Sequence, residues 1–436
     1  MKILVAPTGF KESLEAKVAA DCIEEGILRA CPDAEIRKVP LFDGGEGFAN
    51  GLVDATGGDV TEIEVTGPVR IPVNSSFGYL GSDGPRTAVL DMAAAAGLRL
   101  VPKQMRDPMV TTTYGVGELI LAALDGGARR IILGCGDSGT SDGGVGMCQA
   151  LGVRFLDHEG TELPKAAGGG SLSNLASIDL SGLDPRLAKV EIDVLCNWKN
   201  VLCGPKGVAR VYGPQKGATE KQVNLLANAL ETYAAIVESK TGISVAFQPG
   251  SGASGGLGAG LLLLGARLRP RFDAITEYFG LETFLDDCDL VYTAEGGIDY
   301  QTPQGKMPAE VAKRAKCRGI PVIVLAGTIG TDARINYEAG IDAFSSIVQG
   351  PITLEEAIIH AAELLEDAAE TSMRMVAIGQ GLRGTKRLPT RGEKLVVAEQ
   401  EVVRTRGWKA GFNKVTARAA FSMFFFYSLL KLGIAL

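Results

Sequence analysis

Residues 128–152 read ARRIILGCGDSGTSDGGVGMCQALG, and this stretch decides the class of fold. A short apolar run, Ile131–Leu133, breaks at Gly134 into a loop to Gly144 with five glycines and no bulky side chain. An apolar run without alternation reads as a strand buried on both faces. The following VGMCQALG reads as a helix that starts at the loop. A glycine-rich turn between a buried strand and a helix lets main-chain N–H groups approach a ligand closely, and the helix N-terminus favours an anion there. The residues that would line such a cradle are Gly136, Asp137, Ser138, Gly139, Thr140, Ser141, Gly143 and Gly144. The alternative is a tight strand-to-helix turn that holds nothing.

Outward from this loop, both ends of the chain alternate strand and helix. KILVAP, a helical SLEAKVAADCIEEGILRA and EIRKVPL open the chain. CDLVYTAEG, a helix from about Pro308 to Cys317, IPVIVLAGT, AFSSIV and a helix across TLEEAIIHAAELLEDAAETSM close the body. The expected architecture is α/β: a discontinuous Rossmann-like parallel-sheet domain from 1–64 and 287–375, a second α/β domain inserted at 65–286, and a basic tail over 376–436. With 57 glycines and 6% aromatic residues, an all-β fold is disfavoured.

The eight cysteines are scattered without a CxxC pair, and the histidines number two, so neither a disulfide framework nor a zinc site is expected. MKILVAPTGF is too short an apolar stretch for a signal peptide, which makes a cytoplasmic body the expectation. Residues 373–436 carry a net charge of +9, leaving −16 on the body, so nucleic acid is excluded as a partner.

In open parallel sheets, ligands gather at the carboxyl ends of the strands. Four polar stretches follow strands of the outer domain: PTGFKES (7–13), FDGGEG (42–47), TAEGGIDYQ (293–301) and AGTIGTD (326–332). One rim should therefore carry Lys11, Asp43, Glu46, Glu295, Asp299 and Lys306. Carboxylates beside lysines and glycine loops suit magnesium-assisted chemistry at phosphate, since Mg²⁺ takes one or two carboxylates plus phosphate and water oxygens. GCGDSG also satisfies G-x-G-x-x-G, with Asp157 placed 18 residues beyond Gly139, so an NAD(P)-dependent oxidoreductase is the rival reading. Against it, polar residues and two more glycines intervene before a short helix, and DHEG reads as a hairpin turn, so no parallel βαβ unit closes.

APTGFKESL, DGGEG, DMAAAAGL, TTTYGVGELI, ILGCGDSGTSDGGVGM, SIDLSGLDPRL, LCGPKGVARVYGPQKGAT, GASGGLG, AEGGIDYQTPQGK and PVIVLAGT occur in this order over about Met1–Met375. With them the chain resembles the bacterial glycerate kinase family of the two-domain α/β type. The resemblance implies a Rossmann-like domain, a second α/β domain, and transfer of the ATP γ-phosphoryl group to a hydroxyl of D-glycerate, commonly giving 2-phosphoglycerate. A kinase for another small hydroxy acid is the alternative. Phosphate falls to the 134–144 loop and to a second cradle at Gly255 and Gly256, and the transferring group to Lys216. The base is Asp43 or Asp142, magnesium falls to Glu46, Glu295 and Asp299, and the acceptor to Lys11, Thr112, Thr113 and Lys306. The chain departs from the family pattern at Thr8 and Gly9 (Asp and Ser in APDSFK), at Asn197 and Lys199 (CDVNNPL), and at Ala294 and Gly297 (TGEGRID).

The resemblance stops short of the tail. Its apolar stretch, Ala419–Leu430, is cut by Lys431 at 12 residues, against the roughly 20 a spanning helix needs. A disordered appendage, a membrane-surface anchor over 419–436 and a segment packed on the body are the three readings of it.

Overall fold

The computed structural model describes residues 1–10, 13–41, 45, 47–81, 84–278 and 280–382. Lys11, Asp43, Glu46 and the tail beyond 382 lie outside them. The chain divides into compact units at Met1–Ala377 and Ile378–Leu436. The account below concerns the first, together with the end of the helix that runs past it.

Among the described residues, thirteen strands form three sheets. In the first, β1 (Lys2–Val5), β2 (Glu35–Lys38), β11 (Leu290–Ile298), β12 (Val322–Ile329) and β13 (Ala343–Ser346) are all parallel, in the order β13-β12-β11-β1-β2. The two ends of the chain meet where Ile3 lies opposite Leu290. The second sheet has the order β10-β9-β6-β5-β4-β3. Its β5 (Thr87–Asp91), β6 (Arg130–Gly134), β9 (Glu191–Cys196) and β10 (Arg267–Pro270) are parallel. The hairpin of β3 (Asp59–Thr66) and β4 (Pro72–Tyr79) extends it antiparallel. The boundary expected at residue 64 falls inside β3.

The third sheet is a ribbon of β7 (Arg154–Leu156) and β8 (Ser177–Asp179). The strand after the glycine loop thus pairs antiparallel away from β6, whose parallel neighbours are β5 and β9. That removes the dinucleotide-type βαβ unit from GCGDSG. One further expectation is corrected: the closing helix breaks at His360 (φ −98°, ψ 15°) into Leu354–Ile359 and Ala361–Leu382.

Alternation in β1 explains why the first sheet is covered on both faces. Ile3 and Val5 pack with Ile23, Ile27, Leu365 and Ala369 of the helices Ala16–Ala30 and Ala361–Leu382. Leu4 points the other way, into a core with Phe48, Leu52, Phe272, Ile275 and Val311. The same core takes in Val89 of β5, Ile132 of β6 and Leu195 of β9. One helical layer therefore serves both sheets, and each large apolar side chain buried there is worth ~1.5–3 kcal/mol.

The helix Ala253–Leu263 lies on the loop that follows β6, glycine against glycine: a Cβ on Gly260 would sit 2.9 Å from Gly144 Cα and 3.0 Å from the Gly143 carbonyl oxygen. Gly260→Ala should therefore destabilise by ~1–3 kcal/mol through overpacking. Gly379→Ala, exposed in a helix with no atom within 4 Å, should be neutral or stabilising by up to ~1 kcal/mol. Thermal unfolding of the two variants checks both signs.

Candidate active site

The loop after β6 is built around one buried carboxylate. Asp142, 1% exposed, accepts from the Thr113 main-chain N–H (2.8 Å) and hydroxyl (2.9 Å) and from the N–H groups of Gly144 (3.1 Å) and Gly146 (3.2 Å). The Thr112 hydroxyl lies at 3.5 Å. These donors come from the starts of two helices, Tyr114–Asp125 and Val145–Ala150, so Asp142 ties both N-termini to the loop. Burial pushes the carboxyl up from its ordinary range, and the converging N–H and hydroxyl donors pull against that. Thr112 and Thr113, assigned to the acceptor from sequence, are wholly buried against Asp142. Asp142, a sequence candidate for the base, has its oxygens taken up by the protein itself.

Neighbouring segments hold the rest of the loop. Leu98 N–H donates to the Asp137 carbonyl (2.8 Å), Gly139 N–H to Ala96 (2.8 Å), and the Thr111 hydroxyl to the Gly139 carbonyl (2.9 Å). Asp137 is exposed and left-handed (φ 46°). The second glycine stretch supports the loop from behind: Ser254, Gly255 and Gly256 are all left-handed, and the Gly143 N–H donates to the Gly255 carbonyl at 3.0 Å. A Cβ on Gly255 would come within 1.9 Å of the Thr140 carbonyl oxygen, so this close approach requires glycine. Gly255 and Gly256, expected as a second cradle, are buried against the first. Among the described residues, the buried hydroxyls of Thr140 and Ser141 have no hydrogen-bond partner.

Lys216 closes the short 3₁₀ turn Pro214–Lys216 and reaches the loop from its inner side. Its Nζ lies 2.9 Å from Ser138 Oγ and donates to the Thr140 carbonyl oxygen at 2.5 Å. At 2% exposure it is not a free cation in the cleft. Burial lowers its pKa to about 7, against the opposing pull of the Asp142 charge.

The other rim belongs to the first sheet. Lys306, at the N-cap of the helix Met307–Cys317, lies 3.0 Å from Glu295 Oε1 and 3.5 Å from Asp299 Oδ1, and donates to the Gly297 carbonyl at 3.2 Å. Two of the three metal candidates, Glu295 and Asp299, and the acceptor candidate Lys306 are thus a single cluster. Glu295 and Asp299 fit the one or two carboxylates that magnesium takes. Among the described residues, no group of three or more His, Cys, Asp or Glu side chains could hold a metal by itself.

Three contacts bring the rims together. Asp91, the last residue of β5, accepts from Ala49 N–H (3.1 Å) in the first turn of the helix Phe48–Thr56. Immediately before that helix, Gly45 packs so closely on the Asp137 carboxylate that a Cβ there would fall 2.2 Å from Oδ2. Lys199, beyond the end of β9, donates to the Gln304 carbonyl oxygen across the gap at 3.2 Å. Sequence reasoning missed Asp91 as a positioning residue, although an aspartate closing the apolar strand TAVLD was its signal. A cavity of about 660 Å³ lined by Arg130, Asp193, Arg267, Arg269 and Glu277 lies at the opposite end of β6, β9 and β10. Its three arginines pair with Asp193, Glu277 and, just outside the lining, Glu191, so each arginine is already engaged by a carboxylate.

A model of the glycerate kinase family matches residues 3–377. Over 370 residues the chain is 51% identical to the glycerate kinase of Bacillus subtilis (strain 168), covering 85% of this chain and 96% of the relative. It is 45% identical to the glycerate 2-kinase of Escherichia coli (strain K12), over 87% and 99% of the two chains. A crystal structure from Salmonella typhimurium LT2 that carries the name glycerate kinase 2 superposes with a TM-score of 0.76 at 43% identity, over 88% of this chain and all of that one. The chain belongs to the glycerate kinase family. It is an enzyme of the phosphotransferase class.

Asp142→Asn puts an amide NH₂ where one oxygen now receives N–H donors. The variant should lose ~1–3 kcal/mol of stability, read as a lower midpoint in denaturant unfolding at unchanged slope.

Proposed function

We propose that this enzyme transfers the γ-phosphoryl group of ATP, with Mg²⁺, to a hydroxyl of D-glycerate and releases 2-phosphoglycerate in the cytoplasm. The observation that carries this reading is the seat of Gly45 on Asp137. It joins the loop after β2 to the glycine loop after β6 in a chain of this family.

The unpartnered hydroxyls of Thr140 and Ser141, with main-chain N–H groups of the 136–144 loop other than those of Gly139, Gly143 and Gly144, would hold phosphate oxygens. Magnesium would be held by Glu295 and Asp299, with Lys306 between them, and would neutralise charge on the transferring group. Gly255, Gly256, Thr112, Thr113 and Asp142 fix the loop's shape rather than touch substrate. That matters because phosphoryl transfer depends on positioning and preorganised electrostatics more than on covalent chemistry. Lys11 is assigned to the acceptor's carboxylate and Glu46 to the metal, on their sequence positions.

The purified chain should release ADP from MgATP in step with D-glycerate added, and more slowly with L-glycerate, glycolate or tartronate. Phosphorus NMR should identify the product as the 2-phosphate. ADP release that ignores D-glycerate would overturn the reading, and a preference for another hydroxy acid would redirect it to that acceptor.

A further inference from the structure

We propose that Lys216, acting through the Ser138 hydroxyl, accepts the proton that the acceptor hydroxyl gives up during phosphoryl transfer; this inference rests on the kinase reading above. The amine is 2% exposed; its partner Ser138, at 8% and next to the exposed Asp137, is the more open of the two, so the relay runs through its hydroxyl.

The surroundings of Nζ favour the neutral amine. Among the described residues, Nζ makes its hydrogen bonds to Ser138 Oγ and the Thr140 carbonyl and has no carboxylate in an ion pair with it, and burial without a paired anion favours the neutral amine. The charge that opposes this is Asp142, which favours the ammonium but is held by Thr113, Gly144 and Gly146 rather than by Nζ, and the exposed Asp137 lies against Gly45. Arg106 turns its main-chain carbonyl to Gly217, and Asp107 receives Gln222 Nε2 at 3.1 Å.

A neutral amine has two N–H donors and one lone pair. The Thr140 carbonyl, which can only accept, takes one N–H. The lone pair then faces Ser138 Oγ at 2.9 Å, in position to receive its O–H. Burial that brings this amine to about 7 places it where a general base works best at neutral pH.

The step balances. The acceptor oxygen bonds to the γ-phosphorus as the bond from that phosphorus to the β,γ-bridging oxygen breaks, and ADP leaves with that electron pair. The acceptor's proton passes to Ser138 Oγ while the Ser138 proton passes to the Lys216 lone pair. The ammonium so formed returns its proton to solvent before the next turnover.

A fixed cation at Lys216 and a base at Lys216 predict opposite pH slopes. The experiment measures kcat and KM for D-glycerate across neutral pH in the wild type, Lys216→Arg, Ser138→Ala and Asp43→Asn, with folding and MgATP binding checked for each. On this proposal wild-type kcat and kcat/KM both rise with pH, kcat/KM along a limb centred near 7, because protonated Lys216 cannot accept. Lys216→Arg, always charged, loses ~10²–10⁴-fold in kcat and the limb with it. Ser138→Ala, the smaller change should the arginine variant not fold, lowers kcat by at least about tenfold with KM little moved. The proposal is overturned if wild-type kcat is flat or falls as pH rises through 7, if Lys216→Arg keeps near-wild-type kcat, or if Asp43→Asn is the variant that abolishes the limb. Wild-type protein with no glycerate-dependent turnover sinks the kinase reading itself, a separate result.

Discussion

The carboxylate of Asp142 is the constraint on which the rest of the site depends. Taking an isolated carboxylate out of water costs several kcal/mol even after relaxation. Here the cost is offset by four N–H and O–H donors within 3.2 Å, each charge-assisted and worth ~1.5–3 kcal/mol. Those donors sit at the N-terminal ends of two helices, where partial positive charge adds to the attraction. The result is a loop whose glycine backbone has little freedom left, though nothing bulky fills it. Rigid main-chain dipoles need no reorganisation when charge develops next to them.

That loop would be inert if the first sheet could drift away from it. The shared core prevents this: Leu4 and Phe48 on one side, and Val89, Ile132 and Leu195 on the other, are wholly or almost wholly buried in one apolar layer. Above the layer, the Ala49–Asp91 hydrogen bond and the Gly45–Asp137 contact fix the segment around residue 45 against the β6 loop. The Lys199 bridge is different in kind. It is an exposed lysine on a carbonyl oxygen, and solvent screening leaves such a contact worth at most ~1 kcal/mol, so it can open without disturbing the core. The architecture thus combines a rigid floor with a weak strap over the gap between β9 and the 302–304 turn.

Much of this was legible in the sequence. Runs such as VIVLAG, apolar on both faces, identify parallel strands, and the rule that ligands gather at strand carboxyl ends groups stretches as far apart in sequence as 7–13 and 326–332. Side-chain direction was not legible. Thr112 and Thr113 in TTTYGVGELI look like substrate donors, yet their hydroxyls turn inward to Asp142, because the N-terminal N–H groups of a buried helix need an acceptor. GASGGLG looks like a second cradle, but its glycines answer to Thr140 and Gly143 of the first. Glycine enrichment marks close approach and does not say whether a ligand or the chain's own backbone is what approaches. Lys216 shows the same gap: its charge suggested a cation at the transferring group, whereas its burial could be read only from the packed loop.

The departures from the family pattern become intelligible on this geometry. Gly297 stands where the resemblance places an arginine, and its carbonyl oxygen accepts from Lys306, the same ammonium that holds Glu295 and Asp299. Asn197 stands where it places an aspartate, and its side-chain oxygen accepts the Lys199 N–H (3.0 Å), setting the turn from which Lys199 reaches Gln304. With Thr8 also standing where that pattern has an aspartate, the chain lacks one guanidinium and two carboxylates of it and gains one ammonium, Lys199, from the opposite sheet. A cation carried by the far side of the gap can follow the opening of the gap, whereas an arginine on β11 could not. The altered residues Gly297 and Lys199 thus meet the same short stretch, 297–306, one through its contact with Lys306 and the other through Gln304.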